Sequence, residues 1–151
     1  MGATATLKSA IQTIIKAGGT PATWQLPGLI DGRVKVLLDT YTGLGSGEDA
    51  GSVIIWPALP TGANILQIFI GTSVATTSLT VSVGDADSAA RYASASTTLA
   101  TTAGLYPLTG LGALPRVVGT STNDANIIWT TGGAALGTAT VYTLMVLYSF
   151  D

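Results

Sequence analysis

An all-β sandwich is the fold this sequence predicts, and three observations lead there. Short segments alternate apolar with polar side chains, as Leu79, Val81 and Val83 do with Ser78, Thr80 and Ser82, which is the period of a strand with one wet face. Turn-forming residues punctuate these segments closely, with 19 glycines and 6 prolines in 151 residues. A helical period is convincing only near the N-terminus. The jelly roll is one form that such a sandwich takes. A domain of this length buries ~68–70% of the surface its unfolded chain exposes, so no disulfide or metal staple is needed. The expected division is an N-terminal helical or extended arm with its linker over 1–32, then the sandwich over 33–151.

In the arm, Leu7, Ala10, Ile11, Ile14 and Ile15 fall at i, i+3, i+4, i+7 and i+8, with Lys8, Gln12, Thr13 and Lys16 on the other side. Thr4 or Thr6 can cap this helix, and Gly18, Gly19 and Pro21 end it. About three turns are marginal in water, so the apolar stripe must dock, on its own sandwich or on a neighbouring subunit. Met1-Gly2-Ala3-Thr4-Ala5-Thr6 fits a myristoylation pattern, but no polybasic patch supplies the second membrane signal. No signal peptide is expected, which implies synthesis in the cytoplasm of the producing cell.

Trp24 to Gly32 reads as a linker or irregular edge. From Arg33 to Thr40, Val34, Val36 and Leu38 share one face while Arg33, Lys35, Leu37 and Asp39 share the other, an early strand suited to a sheet edge. Gly43 to Asp49 is a flexible loop rather than a phosphate cradle, because no lysine follows in Walker spacing. Ser52 to Trp56 is strand-like. Pro60, Thr61 and Gly62 make a turn that launches Ile65 to Ile70, an apolar run expected to be covered on both faces, and this strand is expected to form a hairpin with Leu79 to Val83. Ala89 to Gly104 is ambiguous between helix and strand. Leu105 to Pro115 reads as an extended surface loop whose leucines make contacts. A short strand is expected at Arg116 to Gly119, another at Asn126 to Thr130, and a last at Thr138 to Phe150. In the last, Val141, Met145 and Leu147 oppose Tyr142, Leu144, Val146, Tyr148 and Phe150, so both faces are expected to be covered, by the sandwich alone or by the sandwich and a subunit interface.

Three of these stretches carry a family resemblance. Leu59 to Ile65 has the form Leu-Pro-x-Gly-Ala-x-Ile, Val81 to Asp87 reads Val-Ser-Val-Gly-Asp-Ala-Asp with Arg91 and Tyr92 following, and the closing strand contains Val146-Leu147-Tyr148-Ser149. In these motifs the sequence resembles a group of small all-β virion proteins of tailed bacteriophages. The resemblance implies a head-decoration or cement protein at the capsid surface of the virion, stabilising the shell by binding neighbouring major capsid subunits as a homotrimer. It transfers no catalytic residue.

Composition agrees with an assembly subunit. Only 9% of residues are charged against about 25% in ordinary soluble domains, while 47% are hydrophobic and the mean hydropathy is +0.51. No charged side chain lies between Asp49 and Asp85, between Arg91 and Arg116, or between Asp124 and Asp151. Prolines, glycines and polar residues interrupt these segments, so none supplies the run of ~20 apolar residues that a transmembrane helix needs. A net charge of −2 with six basic residues offers no footprint for nucleic acid. Neither nucleic acid nor membrane is expected as a partner. The expected interface residues are Leu7, Ile11, Ile14 and Ile15 of the arm, Trp24, the loop residues Tyr106, Leu108 and Leu111, and Tyr142 with Tyr148.

Catalysis finds little to work with. Cysteine and histidine are absent, which removes thiol nucleophiles, imidazole bases and their metal sites. No G-x-S-x-G elbow or S-x-x-K motif occurs and no pair of carboxylates is marked, so neither an enzyme nor a cofactor is expected. Asp85, Asp87 and Ser88 have calcium-like spacing, but calcium needs six to eight oxygens and such a fragment is usually a turn. Two other roles stay open: a tail, neck or fibre component, and a carbohydrate-binding module using Trp24, Trp56, Tyr92 or Tyr106 as platforms. A secreted adhesive subunit would need a signal peptide, and none is expected here.

Overall fold

Alternation along each strand decides which side chains are withdrawn from water, and two sheets result. The computed structural model describes residues 6–8, 34–45, 47–109, 116–119 and 125–149. The strands are β1 (Thr6–Lys8), β2 (Val34–Thr42), β3 (Val53–Ala58), β4 (Asn64–Thr72), β5 (Thr80–Gly84), β6 (Ala93–Ser96), β7 (Gly104–Pro107), β8 (Arg116–Val117), β9 (Asn126–Gly132) and β10 (Val141–Ser149), with a single helical turn, α1 (Thr98–Thr101), before β7. Sheet A has the order β1-β3-β9-β5-β6, and sheet B the order β2-β10-β4-β7 with β8 also on β4. All pairs are antiparallel except β1 with β3.

The core lies between the sheets. Sheet A contributes Ile54 and Trp56, Val81 and Val83, and Ile127 and Trp129; sheet B contributes Leu37 and Tyr41, Ile65, Ile68 and Ile70, and Tyr142, Leu144, Val146 and Tyr148. Trp56 and Trp129 meet edge to face with ring centroids 4.8 Å apart, an orientation that sets the positive edge of one ring against the negative face of the other. Leu99 of α1 is fully buried and its carbonyl accepts from the Thr76 amide at 3.0 Å.

Several expectations are corrected here. The run Ile65 to Ile70 and the strand at Leu79 to Val83 are not a hairpin: β4 pairs with β10 in sheet B and β5 with β9 in sheet A. The chain crosses from sheet B to sheet A after β4, so neighbours in sequence face each other across the core instead of pairing edge to edge. Nor is β4 covered on both faces. Its register on β10 passes from Leu147 opposite Gln67 to Tyr148 opposite Ile65, so Leu66 is an extra residue in a bulge. The bulge shifts the alternation by one, which turns Ile65 inward along with Ile68 and Ile70 and makes the sequence look uniformly apolar. Leu66 is exposed, and Gln67 and Phe69 are half-buried.

Leu105 to Pro107, expected within a loop, pairs with β4 as part of β7 (Gly104–Pro107), and Leu108 is buried behind it. The ambiguous segment before it resolves into β6, α1 and the start of β7. Thr6 to Lys8, expected in a helix, forms β1, while the remainder of that helix lies outside the described residues. The turn at Pro60 to Ala63 is as expected: the Ala63 amide donates to the Pro60 carbonyl at 2.9 Å, and Gly62 takes the positive φ of 89° that a type II turn asks of its third residue.

Candidate interaction surface

Sheet B presents an uncharged outer face. With Leu37, Asp39 and Tyr41 turned inward, β2 points Val34, Val36 and Leu38 outward at 50%, 56% and 54% exposure. The register places Leu38 beside Met145 of β10, Phe69 of β4 and Pro107 of β7, and the next row sets Val36 beside Leu147 and Gln67. Thr40, Thr143, Gly71 and Leu105 make a third row. No charged residue occupies any of these positions. Three strands of nine residues and the four-residue β7 give the face roughly 500 Å².

The distribution of exposed apolar residues is one-sided. Among the described residues, the large hydrophobics that remain exposed are Val34, Val36, Leu38, Leu66, Leu105 and Val117 in strands of sheet B, and Leu44 and Val74 in the loops leaving β2 and β4 at one end of that sheet. None lies on a strand of sheet A. Scattered exposed leucines mean nothing by themselves, but their gathering on one sheet makes its outer face the candidate contact surface.

The loop at that end is built around a buried carboxylate. Glu48 accepts from the Tyr41 hydroxyl and, at 2.8 and 3.2 Å, from the Leu44 and Gly45 amides. The Gly-rich segment is thus a loop closed on an internal acceptor. Burial, then the hydrogen bond to Glu48 and its charge, push the Tyr41 phenol far above its ordinary value near 10. The folded state holds this proton where the unfolded chain has released it, so stability is unaffected well below pH 10 and falls as pH rises beyond it. Melting temperatures measured from pH 8 to 11 should show this decline, and Tyr41→Phe should make it shallower. Tyr148, also raised by burial, contributes to what remains.

The segment after β5 is locked in the same manner. The Asp85 carboxylate accepts from the Asp87 and Ser88 amides at 3.1 and 3.0 Å and from the Arg91 guanidinium, including Nη2 at 3.1 Å. Asp85 raises the already high pKa of Arg91, chiefly through the hydrogen bond. Its oxygens are engaged in this turn. Among the described residues no group of three or more Asp or Glu side chains could hold a metal ion. A shallow hollow of about 340 Å³ beside β6, lined by residues 92–98 with Leu108 and Thr109, contains no carboxylate and no cationic side chain. No described helix is long and apolar enough to cross a membrane.

The residues expected to meet partners separate clearly. Tyr142 and Tyr148 belong to the inner face of β10 and are 0% and 7% exposed; Leu108 is at 5%. These three are core residues, and it is the alternate face of β10, with Val141, Thr143, Met145 and Leu147, that is open to a partner. Tyr106 is half-buried, its hydroxyl donating to the Ala103 carbonyl at 2.7 Å. Ile11, Ile14, Ile15, Trp24 and Leu111 lie outside the described residues, as does the side chain of Leu7. Of the aromatic platforms considered for sugars, Trp56 and Tyr92 are buried. The exposed Val34, Val36 and Leu38 face was missed as a contact surface because alternation identifies two faces without saying which one is inside.

No protein-family model matches the sequence, and no curated protein matches it. Solved structures do. A chain in the capsid asymmetric unit of cyanophage Pam1 is similar over 87% of this chain and 97% of its own length, with 25% identity and a TM-score of 0.66. A chain in the capsid of Ralstonia phage GP4 is similar over 84% of this chain and 92% of its own, with 17% identity and a TM-score of 0.58, a likeness of fold. In fold and in extent, this all-β chain matches small structural proteins of phage capsids, and the likeness points to a structural role in the virion rather than to an enzyme.

Proposed function

We propose that the chain is a head-decoration or cement protein, which binds neighbouring major capsid subunits at the outside of the shell and acts as a homotrimer. The observation that carries this is the similarity across 97% of a chain found in a capsid asymmetric unit, which leaves almost none of that chain unaccounted for. The order β3-β9-β5-β6 against β2-β10-β4-β7, with every connection except β5 to β6 and β7 to β8 crossing between sheets, reads as a jelly roll, one of the two-sheet solutions for a compact β-domain. Such a body holds a shell together by repetition. Each contact is weak, and many copies on a lattice whose subunits are themselves linked give avidity. The low charge of the chain fits contact by apolar surface and backbone rather than by ion pairs.

The test is addition of the purified protein to expanded heads that lack it. Saturable co-sedimentation at a fixed ratio to the major capsid protein, together with a higher temperature of head disruption, is expected. Antibody labelling of whole virions confined to the tail would overturn the reading in favour of a tail, neck or fibre component.

A further inference from the structure

The outer face of sheet B and the stretch of chain that leads into it fit one another, and we infer that residues 9–33 dock on that face of their own chain. The inference does not depend on the decoration reading, whose partners it leaves to other surfaces. It starts from where the segment is anchored. β1 runs parallel to β3 and so leaves sheet A at the end where β3 gives way to the Pro60 turn. β2 opens at that same end, because Val34 and Asn64 pair with the same residue, Ser149, from its two sides. Packed sheets lie about 10 Å apart, so a handful of residues would join the two anchors, whereas residues 9–33 reach about 80 Å when extended. Most of the segment is surplus to the connection.

Its composition says what the surplus can do. β1 ends at Lys8, so the helical period begins after it: Ser9 and Gln12 have the spacing of a capping box, Ile11, Ile14 and Ile15 share one face, and Gly18 and Gly19 stop the pattern. A helix of about two turns is unstable alone in water, so this stripe needs an apolar surface, and a helix laid on a sheet is one of the standard layers. Trp24 and Leu26 follow, and Lys16, Asp31 and Arg33 are the segment's charged residues. The face offers Val36, Leu38, Phe69, Met145 and Leu147 with no charge, and Val34, into which the segment runs, stands on it. Among the described residues, no strand of sheet A exposes a large hydrophobic side chain, so that sheet offers the stripe nothing comparable. Size favours a tethered occupant. Roughly 500 Å² is below the ~800 Å² per side of a standard interface between free partners. A segment joined to the face by a peptide bond needs no such area, since its effective concentration is of millimolar order.

The chain has no cysteine, so Thr143→Cys puts a single thiol at the middle of the face, between Thr40 and Gly71. Maleimide labelling of this full-length variant is compared with that of Thr101→Cys, exposed on α1, over a concentration series with light scattering on the same samples. Labelling at position 143 roughly tenfold slower than at position 101, at every concentration, is the expected result. Adding Ile11→Asp and Ile14→Asp should make it fast while hydrogen exchange in β5 and β9 stays unchanged, which separates release of the segment from unfolding. In an oligomer, mixing with an excess of cysteine-free chains that carry both substitutions leaves the thiol protected if its own segment docks, and exposes it if a neighbour's does. Fast labelling of the free protein overturns the docking, whether or not heads then slow it. So does protection that grows with concentration, is lost in the mixed oligomer, or survives both substitutions in a folded chain. Head binding on the same samples reads the decoration proposal separately: a protected thiol on a chain that never binds heads sustains the docking and sinks the decoration, and a fast one on a chain that binds them sinks the docking alone.

Discussion

Replacing Trp129 with alanine is expected to lower the unfolding free energy by about 3–5 kcal/mol, the usual cost of removing a large buried aromatic and leaving a cavity. Trp129 is fully buried on β9 and stacks edge to face on Trp56 of the neighbouring β3, so its loss removes area from the core centre and strips a partner from the second ring. For a domain of this size the melting temperature should fall by roughly 6–20 °C, read by calorimetry. Trp56→Ala should cost a similar amount, and the double variant less than the sum, because the two share a contact. Neither indole N–H has a hydrogen-bond partner among the described residues. Trp129→Phe, which discards that orphan donor and keeps an aromatic ring, is therefore expected to be much milder. Equal losses for the phenylalanine and alanine variants would mean that the indole nitrogen is held by a partner after all.

Asp85→Ala should cost about 2–4 kcal/mol, less than the ~3–5 kcal/mol of breaking a fully buried ion pair because Arg91 keeps some access to water. Three donors depend on this carboxylate: the amides of Asp87 and Ser88 and the Arg91 guanidinium. Asp85→Asn retains a carbonyl oxygen for the turn amides and gives up the charge, so its loss should be smaller. Hydrogen exchange should locate the damage between β5 and β6. A uniform loss of protection across both sheets, with no local excess, would refute the idea that this carboxylate acts on one turn.

Much of the strand content was legible because half-buried strands write their burial into the sequence. Val81 and Val83 alternate cleanly with polar neighbours and are found so, whereas β9 and β10, apolar on both faces in sequence, alternate only in their burial. What alternation does not carry is pairing. Ile65 to Ile70 and Leu79 to Val83 were expected to pair with each other by proximity, whereas their partners are β10 and β9, which are far along the chain. It also does not say which face is inner. On β10 the aromatic face fills the core and the aliphatic one is left open, and on β2 Tyr41, one residue past the segment read as a strand, settles the orientation by its bond to Glu48. A glutamate inside a glycine-rich loop and seven residues after a tyrosine was the available sign of a closed loop. The bulge at Leu66 left no sign except an apolar run too regular for one phase.

The position of β10 in the middle of sheet B has a consequence for synthesis. β2 and β4 are neighbours in that sheet only through β10, which pairs with one on each side. At 5–20 residues per second, the ribosome takes roughly 5–20 s to travel from β2 to the end of β10. Throughout that interval the nascent chain carries strands with no mate and an open apolar surface. Folding of the body is therefore expected to be post-translational and slow, as for other chains whose pairings are distant in sequence. A ribosome-bound chain stopped before Val141 should be digested by protease from β2 onward, and one extended well beyond Ser149 should resist.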